Sequence, residues 1–287
     1  MIWVDTIVQG VLLGSLYALF AAGLSLVFGV MRLVNLAHGD LIVLAAYLIL
    51  VIASLLGMGP FVATLAAVPA MFVIGWLLQT HVLNRMLGED ILPPLLVTFG
   101  LSVVIQNALL VGFSANSQKL TAGAIESASL PLGPVTVGVM PLLTLVAAVA
   151  VIFLLNQLFY RTALGRAFRA TSDDAVTAGL MGIRPQRVFA MATGLAMVVV
   201  TVAALFLGTR ASFDPAIGPA RLLYAFEAVI IGGLGSLWGT LAGGIVIGIA
   251  QTFGAAINPE WQILAGHVAF VAVLLLRPRG LFPRAVD

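Results

Sequence analysis

The chain has 287 residues, 62% of them hydrophobic and 8% charged, against the roughly 25% charged residues of a soluble domain. Its 11 acidic and 13 basic residues are too few to coat a water-facing surface, and a mean hydropathy of +1.17 makes lipid the solvent, which removes most enzyme classes. With no cysteine, disulfides, thiolate metal sites and cysteine nucleophiles are excluded.

About 20 apolar residues are needed to cross the hydrocarbon core, so uncharged runs mark the expected spans. Asp5 precedes the first run and no basic residue occurs before Arg32. A cleaved leader begins with a positive region, so the first apolar segment is expected to stay in the mature protein. Thr6 to Met31 is one crossing. Leu41 to Asn84 lacks Asp, Glu, Lys and Arg, but the turn signal Gly57-Met58-Gly59-Pro60 divides it into two. Ile91 to Gln118 is the fourth, and Ser127 to Tyr160 supplies the fifth after a turn at Pro131 and Gly133-Pro134. Val188 to Thr209 is the sixth, and Gln262 to Leu276 a short last one.

Leu222 to Gly254 fits neither one pass nor two. As one helix its 33 residues would run about 50 Å, too long for a comfortable crossing. Cytoplasmic segments collect Lys and Arg, which puts Arg161, Arg166, Arg169, Arg184 and Arg187 inside together with the tail bearing Arg277, Arg279 and Arg284. The stretch must then enter and leave on the outer side, so it is expected to bend near Gly232-Gly233-Leu234-Gly235-Ser236. The N-terminus falls outside and the C-terminus inside, with Lys119, Arg210 and Arg221 the three basic residues of the 13 left outside. The expected fold is an all-α, polytopic membrane domain over residues 1–287. It has eight apolar blocks, or nine crossings if the bent segment counts twice. The basic residues sit between those blocks rather than on one face, so the high isoelectric point reads as topology and not as nucleic-acid binding.

Several segments carry candidate chemistry. Asn35, His38 and Asp40 fall in Arg32-Leu33-Val34-Asn35-Leu36-Ala37-His38-Gly39-Asp40, between the first two apolar blocks. Such a break can line a wet cavity at membrane depth, or it is an ordinary turn in which Asp40 caps the next helix. Gln106 and Asn107 can face a substrate path or bond between helices. Glu227 is a candidate because an ionisable group in a membrane is costly, or it pairs with Arg221 at the outer interface.

The glycines of the bend and beyond, with four-residue spacing in Gly235-Gly239-Gly243 and in Gly244-Gly248, can serve tight packing. Alternatively Gly232, Gly233 and Gly235 expose backbone N–H groups at a half-helix N-terminus that attracts a carboxylate. In the loop 160–187, Ser172-Asp173-Asp174 reads as a helix start and Gly182 as its stop, with Pro185 beyond. That predicts a surface helix of about ten residues. Val176, Leu180 and Met181 would lie on its apolar side, forming a knob for a cytoplasmic partner or an interfacial helix on lipid headgroups. There is no GxxxxGK[ST] loop, HExxH or GxSxG, and the single lysine is Lys119, so nucleotide binding by a Walker loop is not expected here. No catalytic residue and no metal site is expected.

The residues from Gly23-Leu-Ser-Leu-Val-Phe-Gly to His38-Gly39-Asp40, from Tyr160-Arg-Thr-Ala-Leu-Gly-Arg166 to Met181-Gly182-Ile183, Ile231-Gly-Gly-Leu-Gly-Ser236 and Leu276-Arg-Pro-Arg-Gly-Leu-Phe282 resemble the Liv-type permeases. These are the membrane subunits of ABC importers for branched-chain amino acids. The resemblance covers nearly the whole chain. It implies a bacterial inner-membrane protein paired with a second, related permease, two cytoplasmic ATPases that bind ATP and Mg²⁺, and a periplasmic or extracellular substrate-binding protein. This chain itself would hold no cofactor.

By position, Asp173 to Gly182 would be the coupling helix that seats in an ATPase groove, flanked by Arg166 and Arg169. Where the family often has Leu-Lys-Ala-Phe, this chain has Leu223-Tyr224-Ala225-Phe226 followed by Glu227, and Asp40 stands where Glu is frequent. Aromatic carboxylates, urea and amides therefore stay open as substrates. So does a reading of another class, an ion-coupled transporter or channel using Glu227 or Asp40.

Overall fold

The computed structural model describes residues 2–88, 92–133 and 135–282. Among them, seven helices are long and apolar enough to cross a membrane. They are α1 (Ile2–Met31), α2 (His38–Leu56), α3 (Pro60–His81), α4 (Leu92–Phe113), α6 (Val139–Arg161), α9 (Pro185–Arg210) and α11 (Leu237–Ile257). The shorter helices are α5 (Ala124–Ser127), α7 (Ala163–Asp173), α8 (Ala175–Leu180), α10 (Gly218–Gly232) and α12 (Trp261–Leu276). Each expected apolar block contains a helix, and the awkward stretch divides into α10 and α11 at the expected glycines.

The boundaries follow local chemistry. Pro60 and Pro185 occupy first-turn positions, where a missing N–H costs nothing. Gly57 ends α2 in the left-handed region at φ +60°. The region before α6 departs from expectation. Ser129–Leu132 (β1) and Val135–Gly138 (β2) form an antiparallel hairpin, with Leu132 opposite Val135. The alternating apolar residues of Val135-Thr136-Val137 have period 2, which a scan for uncharged runs does not resolve. Gly133, at φ +64°, begins its turn. Pro134 and Ile91, which the expected turn and fourth block included, and Arg284 of the tail lie outside the described residues.

α1 is the central helix, buried almost continuously from Gly10 to Val30, with α9, α10, α11 and α6 around it. Close approach replaces side-chain interdigitation along α1 and α11. A Cβ on Gly10 would stand 2.6 Å from the Ile249 Cα, and one on Gly14 would overlap the Gly244 carbonyl. Backbones can meet so closely only where side chains are absent. Gly75 against Met197 and Gly194 against Phe72 serve the same end between α3 and α9. The outer faces of α3, α4, α6 and α12 carry Leu65, Leu96, Phe99, Val111, Leu154 and Leu275, all exposed. Apolar residues on an outer surface are what lipid requires.

The helices have two ends that differ in charge. At one, α6 leads into α7, the Ser172 hydroxyl donates to Gly29 near the end of α1, and Asn84 donates to Gln186 at the start of α9. The described tail Arg277 to Phe282 docks at this end against the bend between α10 and α11, donating from the Leu281 and Phe282 N–H groups to the Ile231 and Gly232 carbonyls. At the other, Gln9 donates to Thr136 and residues 118 and 213 form an isolated bridge.

Candidate functional site

Three places bring the candidate residues together. The first is the break between α1 and α2. Arg32, at φ +50°, ends α1, and the chain doubles back over the next residues. The fold-back is measured by His38, whose Nε2 donates to the Phe20 carbonyl at 2.8 Å. Phe20 lies eleven residues before the end of α1, about 16 Å at 1.5 Å per residue. Thr98 accepts from the Leu36 N–H at 3.2 Å, and Ser102 donates to Asp40 Oδ2 at 2.5 Å. Both side chains sit well inside α4, so the break packs against that helix away from its ends.

Asp40 does not cap α2. It stands in the first turn of the helix, 1% exposed, whereas Asn35 Oδ1 accepts the Ala37 N–H. Gln106 donates to Ser102 and so extends the Asp40–Ser102 chain. Asn107 makes no bond between helices: it is exposed and donates to the Val103 carbonyl of its own helix, on a different face from Gln106. Asp40 Oδ1 has no partner, and a Cβ on Gly218 would overlap it. The start of α10 therefore packs directly onto this carboxylate.

The second place is α10 and its bend. Glu227 is 2% exposed and accepts from His267 Nδ1 of α12. Its partner is thus His267 and not Arg221. Tyr224, one turn earlier, stacks on Tyr17 of α1 with ring centroids 4.7 Å apart and lies parallel to His267 at 6.3 Å. Tyr17 donates to Gln251 of α11 at 2.7 Å. Four helices meet on this one polar string. The sequence marked Glu227 by its charge but not Tyr17, Gln251 or His267, although Gln251 and His267 are visible as polar interruptions of apolar runs.

At the bend itself, packing accounts for several glycines. Cβ atoms on Gly232 and Gly239 would each overlap the other's carbonyl, and one on Gly243 would overlap that of Ala228. Gly233 and Gly235 have φ +102° and +80°. The expected free donors are only partly displaced from the glycines: Gly232 lies within α10 and Gly233 donates back into it, whereas among the described residues no hydrogen bond is found from the Gly235 N–H. Gly233 and Ser236 donate N–H groups within the turn, and Ser236 Oγ accepts from Gly239. The N–H groups left over at the helix start are those of Leu237 and Trp238.

The third place is the loop after α6. The expected helix of about ten residues is two helices. Ser172 and Asp173 close α7, and Asp174, in extended backbone at φ −151°, breaks the chain and caps the six-residue α8. Asp174 Oδ1 accepts from the Val176 and Thr177 N–H groups, and Oδ2 accepts the Thr177 hydroxyl. Those bonds, the Thr177 hydroxyl first, hold the Asp174 carboxyl below its usual range. Gly182, at φ +87°, lets the Ile183 N–H reach back to Ala178 and close the helix.

Val176, Leu180 and Met181 are 77%, 83% and 80% exposed. α7 is amphipathic, with Phe168 buried against Phe159 at 5.4 Å and Arg166 outward. Arg169 turns inward, donates to the Phe159 carbonyl and lies over the Tyr160 ring, 5.3 Å from its centroid. Among the described residues no group of three His, Cys, Asp or Glu could hold a metal ion.

With this geometry in view, comparison with known proteins is specific. A family model described as the permease component of the branched-chain amino acid transport system matches residues 6–276. The high-affinity branched-chain amino acid transport system permease protein BraD of Pseudomonas aeruginosa is 28% identical, covering 98% of this chain and 96% of its own. LivH of Escherichia coli K12, a permease protein of the same description, is 28% identical over 96% of this chain and 94% of its own. Among solved structures, a chain of PsaBC from Streptococcus pneumoniae, in complex with Fab, superposes with a TM-score of 0.52 at 14% identity, covering 94% of this chain and 91% of that one. That likeness concerns the fold.

Proposed function

The chain belongs to the family of branched-chain amino acid transport permease components, and from that premise we propose that it is the membrane subunit of an ATP-driven importer for branched-chain or similar hydrophobic amino acids. In this reading the α7–α8 end faces the cytoplasm. That is the positive-inside arrangement, because Arg161, Arg166, Arg184, Arg187, Arg277 and Arg279 belong to that end. A second, related permease completes the path, two cytoplasmic subunits bind ATP and Mg²⁺, and a binding protein delivers the amino acid from outside.

The single observation that carries the assignment beyond family membership is the α7–α8 handle. A helix of six residues together with its C-cap Met181 presents three large apolar side chains to water. Such a knob in an otherwise polar loop fits a groove in another protein. α7 ties it to the span helices through Phe168 and Arg169 on α6 and Ser172 on α1. A push on the handle is thereby delivered to two transmembrane helices. α10, which meets α1, α2, α11 and α12, is the element on which both buried acids bear and the one best placed to move between two arrangements.

Reconstitution tests this reading. Vesicles holding this chain with its permease partner and ATPases should take up leucine only when binding protein is outside and ATP inside. Uptake by this chain alone under an ion gradient would instead select the ion-coupled alternative.

A further inference from the structure

A cavity of about 300 Å³ opens between the ends of α1 and α6, the start of α11 and the docked tail, at the lower end of the size range of small-molecule sites. We propose that this cavity binds the carboxylate end of a small apolar acid, the transported amino acid itself, on the cytoplasmic side of the permease. The proposal rests on the reading of the chain as an amino acid importer subunit and deepens it by assigning a substrate station.

Three features of the wall carry the assignment. First, Leu237 and Trp238 line it, and their N–H groups stand at the start of a 21-residue helix, where the first turn has no intrahelical acceptor. The Ser236 side chain and carbonyl take the next two N–H groups, those of Gly239 and Thr240, and leave these two free. Free donors at the positive end of a helix dipole favour an anion. Second, Ser25 of α1 lines the same cavity, is 1% exposed, and its hydroxyl has no hydrogen-bond partner. A buried hydroxyl left unsatisfied is costly, and a bound acceptor removes that cost. Asn156 of α6 adds an amide. Third, the rest of the lining is apolar or aromatic, including Leu26, Phe159 and Phe282, and contains no acid or base.

The cavity therefore offers donors for the carboxylate, the Asn156 amide oxygen as an acceptor for the ammonium, and hydrocarbon for the side chain. A fixed charge behind the wall has the right sign, since the Arg169 guanidinium lies over the ring of Tyr160, itself a lining residue. The station is also mechanically connected. Phe159, on the α6 wall, is held by Phe168 and Arg169 of α7, and α1 is held by Ser172 one turn beyond Ser25. Motion of the handle must reshape the site.

Direct binding decides the matter. The full-length chain in lipid nanodiscs is titrated with radiolabelled leucine, with leucinamide, which lacks the carboxylate, as competitor. Leucinamide should compete about tenfold more weakly than leucine, the loss expected of hydrogen bonds to a charged group. Leu237→Pro removes one free N–H at a position where proline suits a helix, and Ser236 before it is already extended at φ −95°. It should weaken leucine binding about tenfold, while Val111→Leu on the exposed face of α4 binds as wild type.

Should Leu237→Pro not fold, Ser25→Ala takes its place, with a several-fold loss expected. Equal competition by leucinamide, wild-type affinity in both Leu237→Pro and Ser25→Ala, or no leucine binding at all would overturn the site. Leucine uptake by the reconstituted wild-type complex is measured in parallel. Import without carboxylate-dependent binding removes the station and leaves the function. Carboxylate-dependent binding without import removes the function and leaves the station.

Discussion

Between α1 and α11 the chain removes side chains, and at α7–α8 it displays them. Gly10, Gly14, Gly244 and Gly248 bring two backbones so close that a Cβ at any of the four falls within 2.6 Å of the opposite main chain or overlaps it. The roughly 6 Å of α1 between Gly10 and Gly14, at about 1.5 Å per residue, is fixed by what is missing. At the handle the same chain leaves Val176, Leu180 and Met181 in water and spends Asp174 and Gly182 on closing a helix too short to be stable alone. The difference separates two kinds of specification. In the membrane, where lipid is as apolar as leucine, backbone approach and internal hydrogen bonds decide which helices touch. Outside it, an exposed apolar cluster acquires meaning only through a partner.

The sharpest way to break the comparison is to put side chains where they are missing. Gly244→Val places branched bulk against the Gly14 carbonyl and the backbone of Ala18. Overpacking costs about 1–3 kcal/mol even in adaptable cores, and here the neighbours are main chain, which cannot turn aside. Loss of folded protein is expected, read as aggregation on gel filtration in detergent. Val111→Leu on the exposed face of α4 should elute as wild type. A monodisperse, thermally unchanged Gly244→Val would show that the seam is looser than its contacts imply.

The converse change acts on the handle. Replacing Val176, Leu180 and Met181 together by Ser should leave membrane insertion and thermal stability intact, since all three are exposed. ATPase co-purification should fall by about an order of magnitude or more, as is usual when the apolar anchors of an interface are removed. ATPase retention at the wild-type level in that variant would mean docking occurs elsewhere.

How much of this was legible in the sequence differs between the same two regions. Charge-free runs located each apolar block, and Gly57–Pro60 and Gly232–Ser236 located two turns, because glycine and proline act locally. The seam was half legible. The four-residue spacing of Gly244 and Gly248 on α11 announced close packing, but nothing in the sequence said that its partner was Gly10 and Gly14 of α1, more than two hundred residues earlier.

The break before α2 was named as a segment, yet what it packs against, Phe20, Thr98 and Ser102, lies on other stretches of chain. In the handle, the polar start and glycine stop were correct in kind. The division at Asp174 was not foreseen, because Ser172-Asp173-Asp174 offers three capping residues and the choice among them is made by Gly29, which engages Ser172 from a distant helix. The β-hairpin escaped because runs of apolar residues do not distinguish period 2 from 3.6 over so few positions.

A smaller effect is expected at the buried acids, which sharpen the contrast between packing and access. Asp40 is enclosed by Ser102 and the Gly218 backbone, whereas Glu227 reaches His267, whose side chain is 34% exposed. Glu227→Gln keeps the shape and one acceptor but removes the charge, weakening a hydrogen bond of the charged class worth about 1.5–3 kcal/mol. Uptake by the reconstituted complex should fall several-fold with ATPase co-purification unchanged, because the handle is untouched. Uptake at the wild-type rate would reduce Glu227 to a tie between α10 and α12.

The finest test concerns the cap of α8. Asp174 accepts the Thr177 hydroxyl and two N–H groups, and these donors lower its pKa in the folded state. A carboxyl lowered on folding contributes stability that is fully present above its unfolded value, near 3.9, and is lost as pH falls through the folded value. The handle should therefore hold its shape from neutral pH down to about pH 4 and loosen only below it.

Asparagine caps helices about as well as aspartate, and alanine does not. Asp174→Asn should consequently keep ATPase attachment at neutral pH and lose the acid-side dependence that this residue contributes, and Asp174→Ala should weaken attachment at every pH. The partner ATPase titrates as well, so the quantity to compare is the difference between Asp174→Asn and wild type in pull-downs across pH 3.5 to 7. The cap contribution appears as divergence at the acid end alone. Divergence already present at pH 7 would mean that the Asp174 charge touches the partner directly, which would turn the cap of the handle into part of its binding face.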